Sequence, residues 1–313
     1  MLEPTRVREL LVDPMDHPRR QPHLSSASGL ARAGRFLYVV ADDEHHIGAI
    51  EADVASTAPL RLHRLRGGDL PAGKAQRKRV KPDLEALLVL PPRPAWPTGA
   101  LLALGSGSTP AREQGWLLVL GPDGAPVSAP REIALGALYA PLRASSADLN
   151  IEGGFVQGER LHLLQRANTG SGRNACISWD LQAVGAWLEG GTNAPPQPMQ
   201  VRLFELGAFG GVPYGWTDGA ALPGGGWVFS AVAEDTSDSY ADGPCAASAI
   251  GWVSSAGALQ ELLPLRGAPK VEGVALAADG GLLLVTDADD PARPSQLLRL
   301  DWPPTVPAQP GRA

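Results

Sequence analysis

Residues Glu152–Leu164, with the sequence EGGFVQGERLHLL, contain the pattern that decides the fold. An acidic residue precedes small residues and an apolar strand, a turn follows at Gln157-Gly158, and a second apolar strand covers Leu161–Leu164. Glycine suits such a turn because it adopts positive φ without steric cost. The segment therefore predicts a β-hairpin whose first strand begins with a carboxylate.

The start of this hairpin recurs at intervals of 57, 67, 66 and 54 residues. Compact propeller blades repeat about every 40–50 residues, and a four-stranded blade with longer loops needs about the observed spacing. We therefore predict five blades. Their innermost strands begin at Ser28-Gly29-Leu30, Glu85-Ala86-Leu87, Glu152-Gly153-Gly154, Asp218-Gly219-Ala220 and Glu272-Gly273-Val274.

The fifth repeat supplies only three strands, the last over Gln296–Trp302, before Pro303-Pro304. Residues 6–12 alternate like a strand that the first repeat does not use, and placing them outermost in the last blade closes the ring and removes exposed edges. We therefore predict an all-β fold, a five-bladed β-propeller with four-stranded antiparallel blades. It forms one domain over residues 1–313, with a C-terminal tail at 303–313. A β-sandwich or two small β domains are the alternatives, but no linker interrupts the repeat.

Composition excludes several classes of function. The chain has 27 basic and 33 acidic residues, a formal net charge of −6, whereas nucleic-acid and anionic-membrane binders need a basic surface. No apolar run approaches the ~18 residues of a membrane span, and residues 1–15 lack the apolar core of a signal peptide. Two cysteines are too few for a disulfide framework. We expect a cytoplasmic monomer that binds a small anionic molecule and neither nucleic acid nor membrane.

The repeated oxygen-bearing side chains should converge at one mouth of the central channel, because the innermost strands line it. Carboxylates facing a narrow axis repel one another unless they are protonated or bind a cation. Calcium accepts about 6–8 oxygen ligands, and no Cys/His cluster competes for zinc. Alternatively, each carboxylate accepts hydrogen bonds from backbone amides and joins neighbouring blades. The predicted calcium ligands are Ser28, Glu85, Glu152, Asp218 and Glu272.

The order of these residues, one per blade, resembles the propellers of calcium-activated nucleotidases (apyrases). The resemblance implies one calcium on the propeller axis, held at those five positions and needed for hydrolysis of nucleoside di- and triphosphates. The departure is in the fourth blade, where the family has serine and this chain has Asp218 or its neighbour Thr217. Similar Glu-Gly strand starts occur in uncharacterised bacterial propellers related to phytase-like proteins. The resemblance extends to the blade rhythm and to these five positions.

Polar loops surround the predicted mouth. Three of the four lysines, Lys78, Lys81 and Lys270, lie just upstream of innermost strands, and nearby arginines offer planar donors to phosphate or carboxylate. A flexible surface loop is the alternative for the basic run 74–81. The predicted substrate-binding residues are Lys81, Arg112, Arg166, Arg173 and Lys270, and the predicted catalytic residues are Asp42, Asp43, His45 and Asp289.

These features favour a calcium-dependent hydrolase that acts on a small phosphorylated or otherwise anionic substrate at the channel mouth. The alternative is a non-catalytic propeller module that binds a protein or a small ligand, because no G-x-S-x-G motif or other complete catalytic signature is present. A glycosidase is a third interpretation. The basic residues fit an anion better than a neutral sugar.

Overall fold

The computed structural model describes residues 1–53, 56–146, 148–167, 173–235 and 245–302. Within these ranges the chain forms five antiparallel sheets, and their innermost strands contact one another in a closed ring around a central channel. The predicted five-bladed β-propeller is confirmed. The predicted tail 303–313 lies outside the described residues.

Each blade is an antiparallel meander that runs from the channel outward. The innermost strands are apolar and buried on both faces because they pack against neighbouring blades. Blade 1 contains β2 (Ala27–Ala33), β3 (Phe36–Ala41), β4 (His46–Glu51) and β5 (Arg61–Arg64), and blade 2 contains β6 (Leu84–Leu90), β7 (Ala100–Gly105), β8 (Gln114–Val119) and β9 (Arg131–Ala134). Blade 3 contains β10 (Ile151–Gln157), β11 (Arg160–Gln165), β12 (Asn174–Asp180) and β13 (Gln200–Phe204). Blade 4 contains the short β14 (Ala208–Phe209), β15 (Val212–Ala221), β16 (Trp227–Glu234), β17 (Cys245–Val253) and β18 (Leu259–Pro264). Blade 5 contains β19 (Val271–Leu276), β20 (Leu282–Thr286), β21 (Gln296–Leu300) and the N-terminal β1 (Thr5–Glu9).

The N-terminal strand closes the last blade, as predicted. β1 pairs antiparallel with β21, and its first residue, Thr5, lies opposite Arg299. The strand ends at Glu9 rather than at residue 12, because the following residues turn towards blade 1, where Val12 forms a bridge with Leu60. The N-terminal segment therefore connects the last blade to the first.

In the described part of the chain, three short α-helices, which the sequence pattern did not predict, lie in the connections between strands. They are α1 (Lys74–Val80), α2 (Gly136–Ser145) and α3 (Leu181–Leu188). The helix α1 replaces the flexible loop considered for residues 74–81. None of the helices in the described ranges has the length and apolar character needed to cross a bilayer.

The hydrophobic core lies between adjacent blades. Phe155 of blade 3, for example, packs 5.1 Å from Trp227 of blade 4, centroid to centroid, and Trp227 in turn contacts the fully buried Trp216 at 5.4 Å. Such aromatic pairs contribute about 0.5–1.5 kcal/mol beyond the burial of their area. Interblade packing therefore holds the innermost strands, and with them the channel mouth, in fixed positions.

Candidate functional site

A β-bulge interrupts the innermost strand of every blade, near the beginning of the strand in blades 1, 2, 3 and 5 and in the middle of β15 in blade 4. In β6, Leu84 pairs with Gly105 and Ala86 pairs with Leu104, which leaves Glu85 unpaired. A bulge bends the strand and re-aims the side chain of the extra residue, so the chain presents five such side chains at one end of the channel. The bulge residues are Ser28, Glu85, Glu152, Thr217 and Glu272.

In the fourth blade the predicted repeat position is wrong by one residue. Thr217 is the bulge residue of β15, so Asp218 is not the equivalent of the other predicted calcium ligands. It occupies instead the position that a small residue holds elsewhere. A Cβ atom on Gly153 would lie 2.6 Å from the Cα of Asp218, so the glycine leaves space for this residue. The small residues at this position are Gly29, Ala86, Gly153 and Gly273.

Asp218 connects four blades through backbone hydrogen bonds. The Gly219 amide donates to Oδ1 at 2.8 Å and the Val274 amide donates to Oδ2 at 3.0 Å. The amides of Leu30 and Gly154 also donate to this carboxylate, which is 1% exposed. Burial raises the pKa of Asp218 well above its usual value, and the amide bonds oppose that shift. These contacts correspond to the hydrogen-bonding alternative to metal ligation.

Four cations and eight carboxylates form a charged cluster at the channel mouth, which we call the mouth network. Around Lys270, for example, Nζ lies 2.7 Å from Asp289, 3.3 Å from Glu234 and 3.5 Å from Glu272. With every group ionised the cluster would carry a formal excess of four negative charges, so it attracts a cation. The cations are Lys81, Arg112, Arg166 and Lys270, and the carboxylates are Asp42, Asp83, Glu85, Glu152, Glu234, Glu272, Asp287 and Asp289.

Four of the cations predicted to bind substrate are paired with carboxylates of the chain instead. Lys81 Nζ contacts Asp42 and lies 2.8 Å from Asp83. An ammonium in that position neutralises internal carboxylates. The same holds for the other cations of the mouth network. Exposures of 8% or less are found for Lys81, Arg112, Arg166 and Lys270.

Burial raises the pKa of several carboxyls in the mouth network. It raises the pKa of Glu152 to about 7, against the charge of Arg166, and the pKa of Glu272 to about 8, against the charge of Lys270. Burial and the neighbouring Glu152 raise the pKa of Glu85 well above its usual value. Part of the network therefore holds protons at neutral pH, and a bound cation would displace them.

Three carboxylates of the mouth network lie close enough together to hold one cation, and we call them the carboxylate trio. One oxygen each of Asp42, Asp83 and Glu85 lies within 4.8 Å of the other two, and the described residues contain no second group of three His, Cys, Asp or Glu side chains at this spacing. Of the predicted ligands, only Glu85 belongs to the trio. The Ser28 hydroxyl donates to the carbonyl of Ser26 at 3.1 Å.

A cleft of about 370 Å³ opens beside the trio, and Asp42 and Lys81 line it. The segment Ser25-Ser26 lines the cleft and is fixed on both sides, because the Asp42 amide donates to the Ser26 carbonyl and the Ala288 amide donates to the Ser25 carbonyl, each at 3.1 Å. The lining contains charges of both signs. Its basic residues are Lys74, Arg77, Lys78 and Lys81, and its acidic residues are Asp42, Asp43, Asp287, Asp289 and Asp290.

Two residues predicted for the site, His45 and Arg173, belong neither to the mouth network nor to the lining of this cleft. His45 is half-buried, burial lowers its pKa, and its Nδ1 has no hydrogen-bond partner among the described residues. Arg173 is exposed. Both side chains therefore lie outside the candidate site. The predicted catalytic residues that do line it are Asp42, Asp43 and Asp289.

The raised pKa values of Glu152 and Glu272 predict a stability that depends on pH. A carboxyl whose pKa is higher in the folded chain contributes stability below its unfolded pKa and loses that contribution as the pH rises through the folded value. The affected window ends near pH 8, because the two folded pKa values are about 7 and about 8. Between pH 7 and pH 8.5, in a chelating buffer, we expect a loss of about 1–2 kcal/mol, or roughly 2–4 °C in Tm.

A thermal scan at several pH values measures this effect. Below pH 7 the histidines with lowered pKa values, such as His162, act in the opposite direction, so the scan begins at pH 7. The Glu272→Gln variant imitates the protonated carboxyl and should show a smaller slope than the unaltered chain. A Tm that is constant or rises between pH 7 and pH 8.5 would contradict the prediction.

Comparison with known proteins supports the fold. A model of a family of unknown function matches residues 23–301. No curated protein matches the chain. Among solved structures, the α-L-arabinofuranosidase PaAbf62A from Podospora anserina, in complex with cellotriose, is 11% identical over 96% of both chains, with a TM-score of 0.52. A luciferin-regenerating enzyme is 11% identical over 90% of this chain and 93% of that chain, with a TM-score of 0.47. At this identity the arabinofuranosidase shows a shared fold alone and leaves the chemistry to the site.

Proposed function

The chain belongs to this family, the family of unknown function DUF6929, and we propose that it is a divalent-cation-dependent hydrolase of a small anionic substrate. One observation carries the proposal: one oxygen each of Asp42, Asp83 and Glu85 lies within 4.8 Å of the other two, and Asp42 also lines a cleft of about 370 Å³. Ligand sites commonly have volumes of about 300–1,000 Å³. A cation site and a substrate-sized space therefore adjoin.

The donors of the carboxylate trio fit a hard cation. All three are carboxylate oxygens, the ligands that calcium and magnesium prefer. Glu85 accepts no hydrogen bond from the described residues and is partly exposed, so its oxygens are available. Asp83 is the most constrained member, because Ser106 donates to its Oδ2 at 2.6 Å and Arg112 lies 2.7 Å from the same oxygen. Calcium suits a site with few protein ligands, since water and substrate oxygens can complete its shell.

Lys81 limits how the cation can bind. Its ammonium contacts Asp42 and Asp83, and these charges raise the pKa of Lys81 although burial lowers it. A cation held by the trio would share two carboxylates with this ammonium, so Lys81 must shift towards the cleft that it lines. In that position it would reach a substrate anion. The role predicted for Lys81 is thus coupled to cation binding.

Asp287 is the side chain of the cleft best suited to proton transfer. Burial raises its pKa well above the usual value, against the charge of Lys270 at 3.4 Å, and the charge of Asp289 adds to the increase. A carboxylate whose pKa is raised in this way is a stronger proton acceptor than an ordinary aspartate, as a general base should be. In hydrolysis, Asp287 would accept a proton from the attacking water and return it to the leaving group as the scissile bond breaks. A bound divalent cation would act as a Lewis acid on a substrate oxygen.

A substrate panel of phosphomonoesters, phosphodiesters, nucleotides and lactones, with and without calcium, tests the proposal. We expect turnover of at least one anionic class, which a chelator abolishes. Glu85→Gln should lower kcat/KM at least about tenfold, equivalent to 1.4 kcal/mol or more of lost transition-state stabilisation. The exposed Glu261→Gln on β18 is the matched control and should retain activity. Activity that survives both the chelator and Glu85→Gln, or no activity on the whole panel, would overturn the proposal and favour the binding module.

A further inference from the structure

We infer that the end of the channel opposite the mouth network binds a small carboxylate with an apolar body, such as a medium-chain carboxylic acid. Another cavity, of about 300 Å³, lies there, and we call it the funnel. Each innermost strand contributes three consecutive residues, beginning two positions after its bulge residue. The funnel is lined by residues 30–32, 87–89, 154–156, 219–221 and 274–276.

The funnel opens outward to solvent and its lining is largely apolar. In each blade the first of the three lining residues is buried, whereas the last is partly or fully exposed. Apolar side chains that remain partly exposed around a cavity can bury the apolar part of a ligand. Among the described residues that line the funnel, none is acidic. The five residues at the rim are Arg32, Val89, Val156, Ala221 and Leu276.

Arg32 supplies the charge that selects the ligand. It is exposed on β2, and its side chain has no hydrogen bond or ion pair with the described residues. A guanidinium presents its donors in a planar fork that matches a carboxylate. Its single positive charge balances one carboxylate, whereas the dianion of a phosphate monoester would leave one charge without a partner. The funnel therefore fits a monocarboxylate best.

Asp218 determines the orientation of this ligand. Its carboxylate accepts four backbone amides, and all four belong to residues that line the funnel: Leu30, Gly154, Gly219 and Val274. These are the buried residues of the lining, so Asp218 lies at the inner end of the funnel and already uses the donors there. The apolar body of the ligand must enter first, and its carboxylate remains at the rim beside Arg32.

The volume of the funnel limits the size of the ligand. A space of about 300 Å³ corresponds to about ten water molecules at roughly 30 Å³ each. Octanoate, with about as many non-hydrogen atoms, fills such a space. Acetate would leave the apolar lining uncovered, and a long-chain fatty acid would extend into solvent. Octanol has the same apolar chain without the charge, so it isolates the contribution of Arg32.

Calorimetric titration with octanoate, octanol and acetate in a chelating buffer tests the inference. We expect octanoate to bind at least about fivefold more tightly than octanol, because hydrogen bonds between charged groups are the stronger ones. Acetate should give no saturable heat. Arg32→Met should reduce the affinity for octanoate to that for octanol. The matched control is Arg61→Met, at an exposed arginine of β5 in the same blade, and it should bind octanoate like the unaltered chain.

A second variant tests the apolar part of the funnel. Val156→Phe enlarges a side chain at the rim, so it should weaken octanoate and octanol alike. Thermal unfolding shows whether each variant is folded. The carboxylate trio lies at the other end of the channel, so saturating calcium should leave the affinity for octanoate unchanged.

The outcomes separate this inference from the proposed function. Absence of octanoate binding, octanol that binds as tightly as octanoate, or displacement of octanoate by calcium would overturn the inference. An Arg32→Met or Val156→Phe variant that binds octanoate like the unaltered chain would overturn it as well. The expected octanoate pattern in a chain that neither binds calcium nor turns over any substrate would contradict the hydrolase and support the funnel as a binding site.

Discussion

Asp218→Asn should destabilise the propeller severely, although the substitution preserves the shape of the side chain. The carboxylate accepts backbone amides from four blades, among them those of Gly219 and Val274. Asparagine offers one acceptor oxygen. Its side-chain NH₂ group would replace the other oxygen and face backbone N–H groups, which are donors and cannot accept a hydrogen bond from it. Two buried amides then lose their acceptor, at about 1–3 kcal/mol each, so we expect a loss of about 2–6 kcal/mol and a fall in Tm of at least about 4 °C.

Thermal unfolding measures this loss, with Asp279→Asn as the matched control. Asp279 makes an exposed ion pair with Arg299, and such pairs contribute about 0–1 kcal/mol. Folded Asp218→Asn protein should bind calcium as the unaltered chain does, because Asp218 lies outside the carboxylate trio. If the variant kept its Tm and lost calcium binding, Asp218 would be a metal ligand, as the sequence suggested, and the hydrogen-bonding role would be wrong.

Lys270→Met should have an effect of similar size for an electrostatic reason. The ammonium is 8% exposed and lies within 4.0 Å of four carboxylates, two of them on the loop after β20. Methionine fills much of the same volume without a charge, so the carboxylates lose their shared counter-ion. Removing one partner of a buried ion pair costs about 3–5 kcal/mol, and we expect a fall in Tm of at least about 6 °C.

The control for Lys270→Met is Lys74→Met, the same substitution at an exposed lysine of the cleft. It should change Tm by less than about 1 °C. A shift to lower pH should restore part of the stability of Lys270→Met, since protonation removes the uncompensated charge. Equal Tm values for the two variants would show that Lys270 does not hold the mouth network together.

The fold followed from the sequence because each blade repeats the same local pattern. The glycine after Glu152 and the turn at Gln157-Gly158 were enough to locate one hairpin. The recurrence of the same strand start along the chain located the other four blades. The choice between Thr217 and Asp218 could not be made in this way. It depends on which residue is left unpaired against β16, and that register is fixed by cross-strand pairing rather than by local composition.

The candidate site was predictable as a region but not as a set of contacts. The sequence placed Asp42, Lys81 and Glu85 near the channel mouth, and the structure brings all three together. The sequence did not reveal that Lys81 forms ion pairs with internal carboxylates. Such pairing joins residues far apart in the sequence, 39 positions for Lys81 and Asp42 and 68 positions for Arg166 and Glu234. Asp83 was missed although it stands two residues before Glu85, because it is not part of the repeat.

Two other residues of the mouth network, Asp287 and Glu234, were not predicted as site residues because their positions in the sequence carry no distinguishing signal. Asp287 lies in a loop whose neighbour Asp289 was chosen, and only the burial of its carboxyl distinguishes it. Glu234 ends β16, and its role appears only in its contacts with Arg166 and Lys270. Calcium as the cation, a monomeric state and a cytoplasmic location stay predictions.

Calorimetric titration of the chelated chain with calcium chloride tests the central claim most directly. The carboxylate trio predicts one calcium ion per chain, with an affinity that falls as the pH is lowered because protons compete with calcium for Glu85, whose pKa is raised by burial. Glu85→Gln should weaken that binding at least tenfold, and Glu261→Gln should leave it unchanged. Absence of binding heat and of any calcium-induced rise in Tm, or a Glu85→Gln variant that binds like the unaltered chain, would contradict the account.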